Sequence, residues 1–215
     1  WEDPEKFTVS TAEHPGMMFD YSGFPAHTYQ LSYPAPGSPS VAARVREVLA
    51  ARGIECLADA ERGYDHGVFV PLMVAFPDAD IPVVMLSLQR DLDAATHFAM
   101  GAALEPLRDE GILIIGSGMS YHNMRLFGRS NEEHAAEAMR FDDWLKDAVG
   151  LADPAERSKA LAGWVDNPDA RACHVPDHDH LVPVFVAAGA AGKDPGIRVF
   201  NGRVLGKPYS GFRFG

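Results

Sequence analysis

Cysteine is scarce in this chain. Cys56 and Cys173 are the only two among 215 residues. A pair so widely spaced gives neither a disulfide framework nor a CxxC motif, so both are expected as buried thiols in a reducing compartment. No apolar run approaches the roughly 20 residues that a membrane span needs. The first residues lack the basic-then-apolar pattern of a secretory signal. Positive charge is also short: 19 Lys and Arg stand against 30 Asp and Glu, a formal net charge of -11. Without a basic stripe to release counterions, a nucleic-acid backbone is excluded as the main partner. A cytoplasmic protein with no membrane partner is the default expectation. Several motifs are missing as well. No GxGxxG follows a strand, and there is neither a P-loop nor an HExxH. Gly116-Ser117-Gly118 is too short for a nucleophile elbow.

What is present is ordinary in bulk and informative in arrangement. An apolar content of 47% and a charged content of 23% fit a globular chain able to bury its own core. Residues 1–37 are rich in Pro, Gly and aromatics and read as an ordered loop segment. Ser38-Pro39 opens a helix, with Ser as N-cap and Pro at the first helical position, and Gly53 stops it. A short strand is predicted near Glu55–Leu57. Ile81 to Leu88 and Gly111 to Gly116 are apolar runs of strand length, as in the buried strands of an α/β sheet. Between them, Leu92 to Arg108 reads as a crossover helix. Ser130-Asn131-Glu132-Glu133 is a capping box for a helix to about Val149. Asp153-Pro154 opens another helix to Trp164, and a further one is predicted from about Asp177 to Ala191. Asn201-Gly202 is a hairpin signal. The expected fold is α/β: one domain over 1–215, a central largely parallel or mixed sheet flanked by helices, and a C-terminal hairpin.

Three histidines sit beside strongly apolar stretches, where an element opens or gives way to a loop: His66, His122 and His180. Imidazole both ligates metals and carries protons near neutral pH. His122 follows the small-residue loop 116–120, at the carboxyl end of a predicted strand, where α/β proteins place their sites. His66 lies between Asp65 and Gly67, and Asp65 is a candidate to orient its ring. His180 adjoins the apolar face that begins at Leu181. His174 and His178 read as a solvated helix entry, and His97 and His134 as surface or packing residues. Met119, Tyr121, Tyr209 and Phe212 are candidate pocket-lining residues by proximity to these motifs.

The ordered set Phe19-Asp20-Tyr21-Ser22-Gly23-Phe24-Pro25, Tyr33-Pro34-Ala35-Pro36-Gly37, Asp65-His66-Gly67, Leu107 to Gly118, His122-Asn123 and Pro176 to Gly192 resembles the class III extradiol ring-cleavage dioxygenases of the LigB superfamily, in the DOPA-dioxygenase-like branch. The resemblance covers essentially the whole chain. It implies a mononuclear non-haem metal, Fe(II) first and Zn(II) second. The implied reaction opens a catechol ring beside one hydroxyl and inserts both atoms of O2. By motif, His180 matches a metal ligand, His122 the acid/base beside the substrate, and His66 a second pocket histidine that hydrogen-bonds substrate or oxygen. Asp179 is the alternative metal donor to His180.

The chemistry explains the residue types. A catechol must shed protons to chelate a metal, and a base with a pKa near 7 achieves this at neutral pH. The metal holds both reactants side by side. The resemblance also implies two more metal histidines, one immediately before the Trp matched by Trp1. They are expected on a segment of about 40–50 residues upstream, which would also supply the first βα unit. Two other readings compete: a non-enzymatic binding module of the same fold, and a zinc hydrolase with His122 as base. The catechol, the cleavage position and any homo-oligomer are left open.

Overall fold

The computed structural model describes residues 1–126 and 132–215, and the capping box at 130–133 lies outside the residues whose side chains are described. The chain divides into two compact units, Trp1–Arg90 and Asp91–Gly215. Each is an α/β assembly of short strands and helices, so the expected fold class holds.

In the first unit, β1 (Glu2–Asp3) and β2 (Phe7–Ser10) replace part of the predicted N-terminal loop. Every residue of β2 is buried, which overrides the local Pro and Gly signals around it. Helix α1 (Pro39–Ala50) starts as predicted, with the Ser38 hydroxyl accepting from the Val41 N–H at 3.3 Å. It buries Ala42, Val45, Val48 and Leu49, one face at helical spacing. Strand β3 (Cys56–Asp59) pairs in parallel with β2, so β2–α1–β3 is a crossover unit. Helix α2 (His66–Ala75) follows, and β4 (Leu88–Gln89) pairs in parallel with β1.

The predicted strand at 81–88 is mostly not a ladder. Backbone bonds from Ser10 N–H to the Met85 carbonyl and from Ser87 N–H to the Thr8 carbonyl, each 2.9 Å, are joined by serine side chains: Ser10 Oγ accepts from the Met85 N–H at 2.8 Å, and Ser87 Oγ from the Thr8 N–H at 2.9 Å. The core of this unit gathers Tyr33, Ala35, Tyr64, Phe69, Leu72, Ala79 and Met85. Tyr64 Oη donates within a group of carbonyls from Ala35, Pro36 and Val83, which anchors the 33–37 loop.

In the second unit, the predicted 92–108 helix is two pieces, α3 (Ala94–Leu104) and α4 (Pro106–Asp109). Asp93 caps α3, and Pro106, which has no N–H to give, begins the second piece. Residues 112–116 are extended but form no strand ladder among the described residues. Their alternation is strand-like, yet Leu113 and Ile115 are exposed at 71% and 54%. An apolar run supplies the pattern of a strand but not its hydrogen-bonded neighbour.

Strand β5 (His122–Asn123) comes next, then α5 (Glu132–Val149) and α6 (Pro154–Ala162), the latter capped by Asp153. Helix α7 (Ala170–Cys173) leads into β6 (His174–Val175), which pairs in parallel with β5. Both cysteines are free and buried, as expected. Helix α8 (Val182–Ala190) begins later than the predicted Asp177, because 178–181 form a separate turn and Pro183 occupies the first turn of the helix. Glycines 101 and 189 let α3 and α8 touch backbone to backbone: an added Cβ on either would overlap a carbonyl oxygen, of Val186 and of Phe98 respectively.

Strands β7 (Gly196–Val204) and β8 (Lys207–Phe214) form the expected C-terminal hairpin. Its turn is at Leu205-Gly206, not Asn201-Gly202. Leu205 and Gly206 take the two positive φ values, 51° and 81°, that such a tight turn requires, while Asn201 and Gly202 pair within the ladder.

Candidate active site

Backbone contacts in the second unit bring two of the three singled-out histidines together. The loop after residues 112–116 passes close to the turn ahead of α8. Met119 N–H donates to the His180 carbonyl at 3.0 Å. Gly118 lies against that same carbonyl, so closely that a Cβ would overlap its oxygen. Three residues on, β5 sets His122 in register with His174 of β6. The His178 carbonyl accepts from both Leu181 N–H and Val182 N–H, which closes the turn that carries Asp179 and His180.

The His122 and His180 rings consequently stack, with centroids 3.6 Å apart and planes inclined by 17°. Asp179 Oδ2 lies 3.8 Å from His180 Nε2. One donor atom from each of His122, Asp179 and His180 falls within 4.8 Å of the others. Two imidazoles and a carboxylate at that spacing are a donor set suited to a divalent transition metal.

Burial governs the electrostatics here. It pushes the His122 pKa below its ordinary value, against the opposing pull of Asp179. Its Nδ1 is buried and finds no hydrogen-bond partner among the described residues. His174 is corrected most strongly: it is not a solvated helix entry but a core residue, 5% exposed. Phe141 and Trp164 present their rings to it at 5.3 and 6.3 Å. Burial, reinforced by His122, His178 and His180, takes its pKa down to about 3. The ring is therefore neutral at any physiological pH. Asp and His flank the segment and give it a polar pattern, but strand pairing with β5 draws His174 inward. His178 meets the Trp164 ring at 4.6 Å and lies near the Leu92 carbonyl at 3.1 Å. His97, expected as surface or packing, is fully buried, and His134 pairs with Glu137 at 2.7 Å.

A cleft of about 590 Å³ within this unit has Met119, His180 and Phe212 among its walls. Tyr121 is buried rather than open to this cleft. Its ring packs edge-on against Tyr209 at 6.2 Å, and burial pushes its hydroxyl up to about 12.

His66 belongs to the first unit, as the first residue of α2. Its orienting carboxylate is not Asp65. Asp65 bonds Arg62 Nη2 at 2.8 Å, three residues earlier in the segment ahead of α2. The ring is held by Asp20 instead: both Asp20 oxygens lie 2.8 Å from His66 Nδ1, and Oδ1 also accepts the His66 backbone N–H at 3.1 Å. Sequence adjacency favoured Asp65; Asp20 lies 46 residues away, inside the aromatic run 19–25.

With this geometry in hand, similarity to known proteins becomes interpretable. The sequence matches the family described as the catalytic LigB subunit of aromatic ring-opening dioxygenase over residues 2–208. The chain belongs to the LigB family. Its relatives include the 4,5-DOPA dioxygenase extradiol of Beta vulgaris, 40% identical over 197 residues, a match covering 90% of this chain and 71% of the relative. The 4,5-DOPA dioxygenase extradiol of Escherichia coli K12 is 36% identical over 87% of this chain and 69% of its own length. Dioxygenase tasH of Hapsidospora irregularis is 37% identical over 93% of this chain and 64% of its own. Among solved structures, an uncharacterized protein from Escherichia coli K12 superposes with a TM-score of 0.76 at 32% identity, covering 96% of this chain and 79% of that one. LigB-family chemistry is metal-dependent extradiol opening of an aromatic ring, with a small-molecule substrate and O2. Among the described residues no helix is long and apolar enough to cross a membrane.

Proposed function

We propose that this LigB-family protein opens a catechol ring beside one of its hydroxyls and inserts both atoms of O2, with Fe(II) as the working metal and Zn(II) as the second choice. The observation that carries the reading is the stacked His122–His180 pair with Asp179 within ligand distance. His180 is the metal ligand, with Asp179 the alternative donor in reach. When bound, the metal supplies a common centre for both reactants and a route for electrons between O2 and a spin-paired ring.

The protein's own groups handle the protons. His122 is kept neutral by burial, so a nitrogen lone pair is available to take a proton from a catechol hydroxyl. The resulting imidazolium lies near Asp179, whose charge favours it. The same ring can hold that proton and return it to the opened product. His66 hydrogen-bonds the substrate or its oxygens. Met119, in the cleft wall, and Tyr121, the residue before His122, are the proposed substrate neighbours. The product is a ring-opened semialdehyde acid.

The test uses the protein together with any residues that precede Trp1 in its natural form. It is loaded anaerobically with Fe(II) and then given O2 and a panel of catechols. A yellow ring-fission product that appears only with O2 is expected. No product from any catechol ends the proposal, and ester or amide cleavage without O2 replaces it with a hydrolase.

A further inference from the structure

The carboxylate at position 20 has no part in the reaction just described, yet it makes the tightest side-chain contacts of any group around His66. We infer that Asp20 is a positioning residue that locks His66 as the Nδ1–H tautomer, so that Nε2 is the nitrogen offered to substrate. An ionised carboxylate only accepts hydrogen bonds. Both Asp20 oxygens stand 2.8 Å from Nδ1, so in the neutral ring Nδ1 carries the hydrogen and Nε2 the lone pair.

The clamp is doubled. Asp20 Oδ1 also accepts the His66 backbone N–H at 3.1 Å, so the same group fixes the ring and the residue's main chain. His66 opens α2, a helix of 10 residues, and a carboxylate at that end also meets the positive pole of the helix dipole. Partial burial alone would raise the Asp20 pKa, but the backbone and ring hydrogen bonds from His66 outweigh it and the net shift is downward. Asp20 is thus ionised at neutral pH.

The loop that carries Asp20 is itself held in place. Tyr21 packs edge-on to His66 at 6.1 Å and against Tyr29 at 5.2 Å, and its hydroxyl donates to the Thr28 carbonyl at 2.7 Å. Phe19 meets Phe69 of α2 at 5.9 Å. An aromatic wedge therefore presses a carboxylate onto a half-exposed histidine, which has the logic of an orienting acid behind a reactive imidazole.

Two measurements test this. The kinetic one rests on the ring-cleavage reading; the spectroscopic one does not. In protein carrying 15N-labelled histidine, the His66 resonances, assigned by their loss in His66→Gln, are expected to report the Nδ1–H tautomer. Asp20→Asn, whose amide can donate as well as accept, is expected to shift the population toward Nε2–H. A wild-type His66 already in the Nε2–H form overturns the inference, whatever the variant does. In turnover, Asp20→Asn is expected to lower kcat/KM by about 10- to 100-fold, mostly through kcat, and to cost nothing further in a His66→Gln background. Additive losses would show that Asp20 acts elsewhere and sink the assignment. A wild-type protein without turnover ends the function proposed above but leaves the tautomer result to decide this one.

Discussion

His66 and His122 illustrate two ways of making an imidazole useful. His66 is half exposed at 49% and leans on a carboxylate, so its tautomer is set by a hydrogen-bond partner. His122 is drawn against other rings, with a buried Nδ1 that no described residue satisfies, and burial sets its proton affinity. The first unit tunes by charge and the second by desolvation. Charge tuning tolerates solvent and depends on one contact. Desolvation tuning depends on every residue that keeps water away, as Phe141 and Trp164 do at His174, the strand partner of His122. The contrast also separates failure modes: losing a partner flips a tautomer, whereas losing packing readmits water.

Substitutions can break this contrast, and the largest effect belongs to the ligand. His180→Ala is expected to lower metal affinity by more than about 100-fold, beyond the range for outer-shell partners, and to remove turnover with it. Metal content by elemental analysis after dialysis measures this; full retention would shift the ligand role to Asp179. Next in size is His122→Gln, expected to lower kcat/KM by about 10²- to 10⁴-fold while metal content stays unchanged. Equal loss of metal and turnover would make His122 a ligand rather than a base.

The smallest effect concerns His174 and is read as stability. Its folded pKa is about 3 against an ordinary 6.5. Between those values the unfolded chain holds a proton that the folded chain does not. The stability that comes from burying a neutral His174 is thus full above about 6.5 and is lost progressively as pH falls toward 3. In His174→Phe, the drop in urea unfolding free energy between about pH 7 and about pH 5 is expected to shrink. An unchanged drop would mean that the ring is hydrated in the fold and that desolvation is not what governs this unit.

Much of the site was legible before any coordinates. His122 and His180 each carried a local sign: a small-residue loop after an apolar run, and an apolar helix face starting at the next residue. Their convergence follows from backbone contacts at Gly118, Met119 and the 178–181 turn, and the small side chains that permit such contacts were visible in the loop. Asp20 was hidden because 46 residues separate it from His66. Asp65 is adjacent to the histidine but committed to Arg62. His174 was misread because its neighbours are polar, and only strand pairing turns it inward. The helix starts at Ser38-Pro39 and Asp153-Pro154 were readable because a cap is a local hydrogen bond. The sheet was less so: the apolar runs at 81–88 and 111–116 have strand character, but a ladder is a property of two segments, and around 85–88 backbone bonds are interspersed with serine side-chain ones while 112–116 form no ladder among the described residues.

The amino-acid order alone determined the family, the α/β class, the helix caps, and which histidines deserved attention, since each rests on motifs or on interactions within a few residues. Tertiary structure decided which acid serves which base, which histidine loses its water, and where the hairpin turns. Those outcomes depend on groups brought together from distant positions, and on the dielectric they create for one another once they meet.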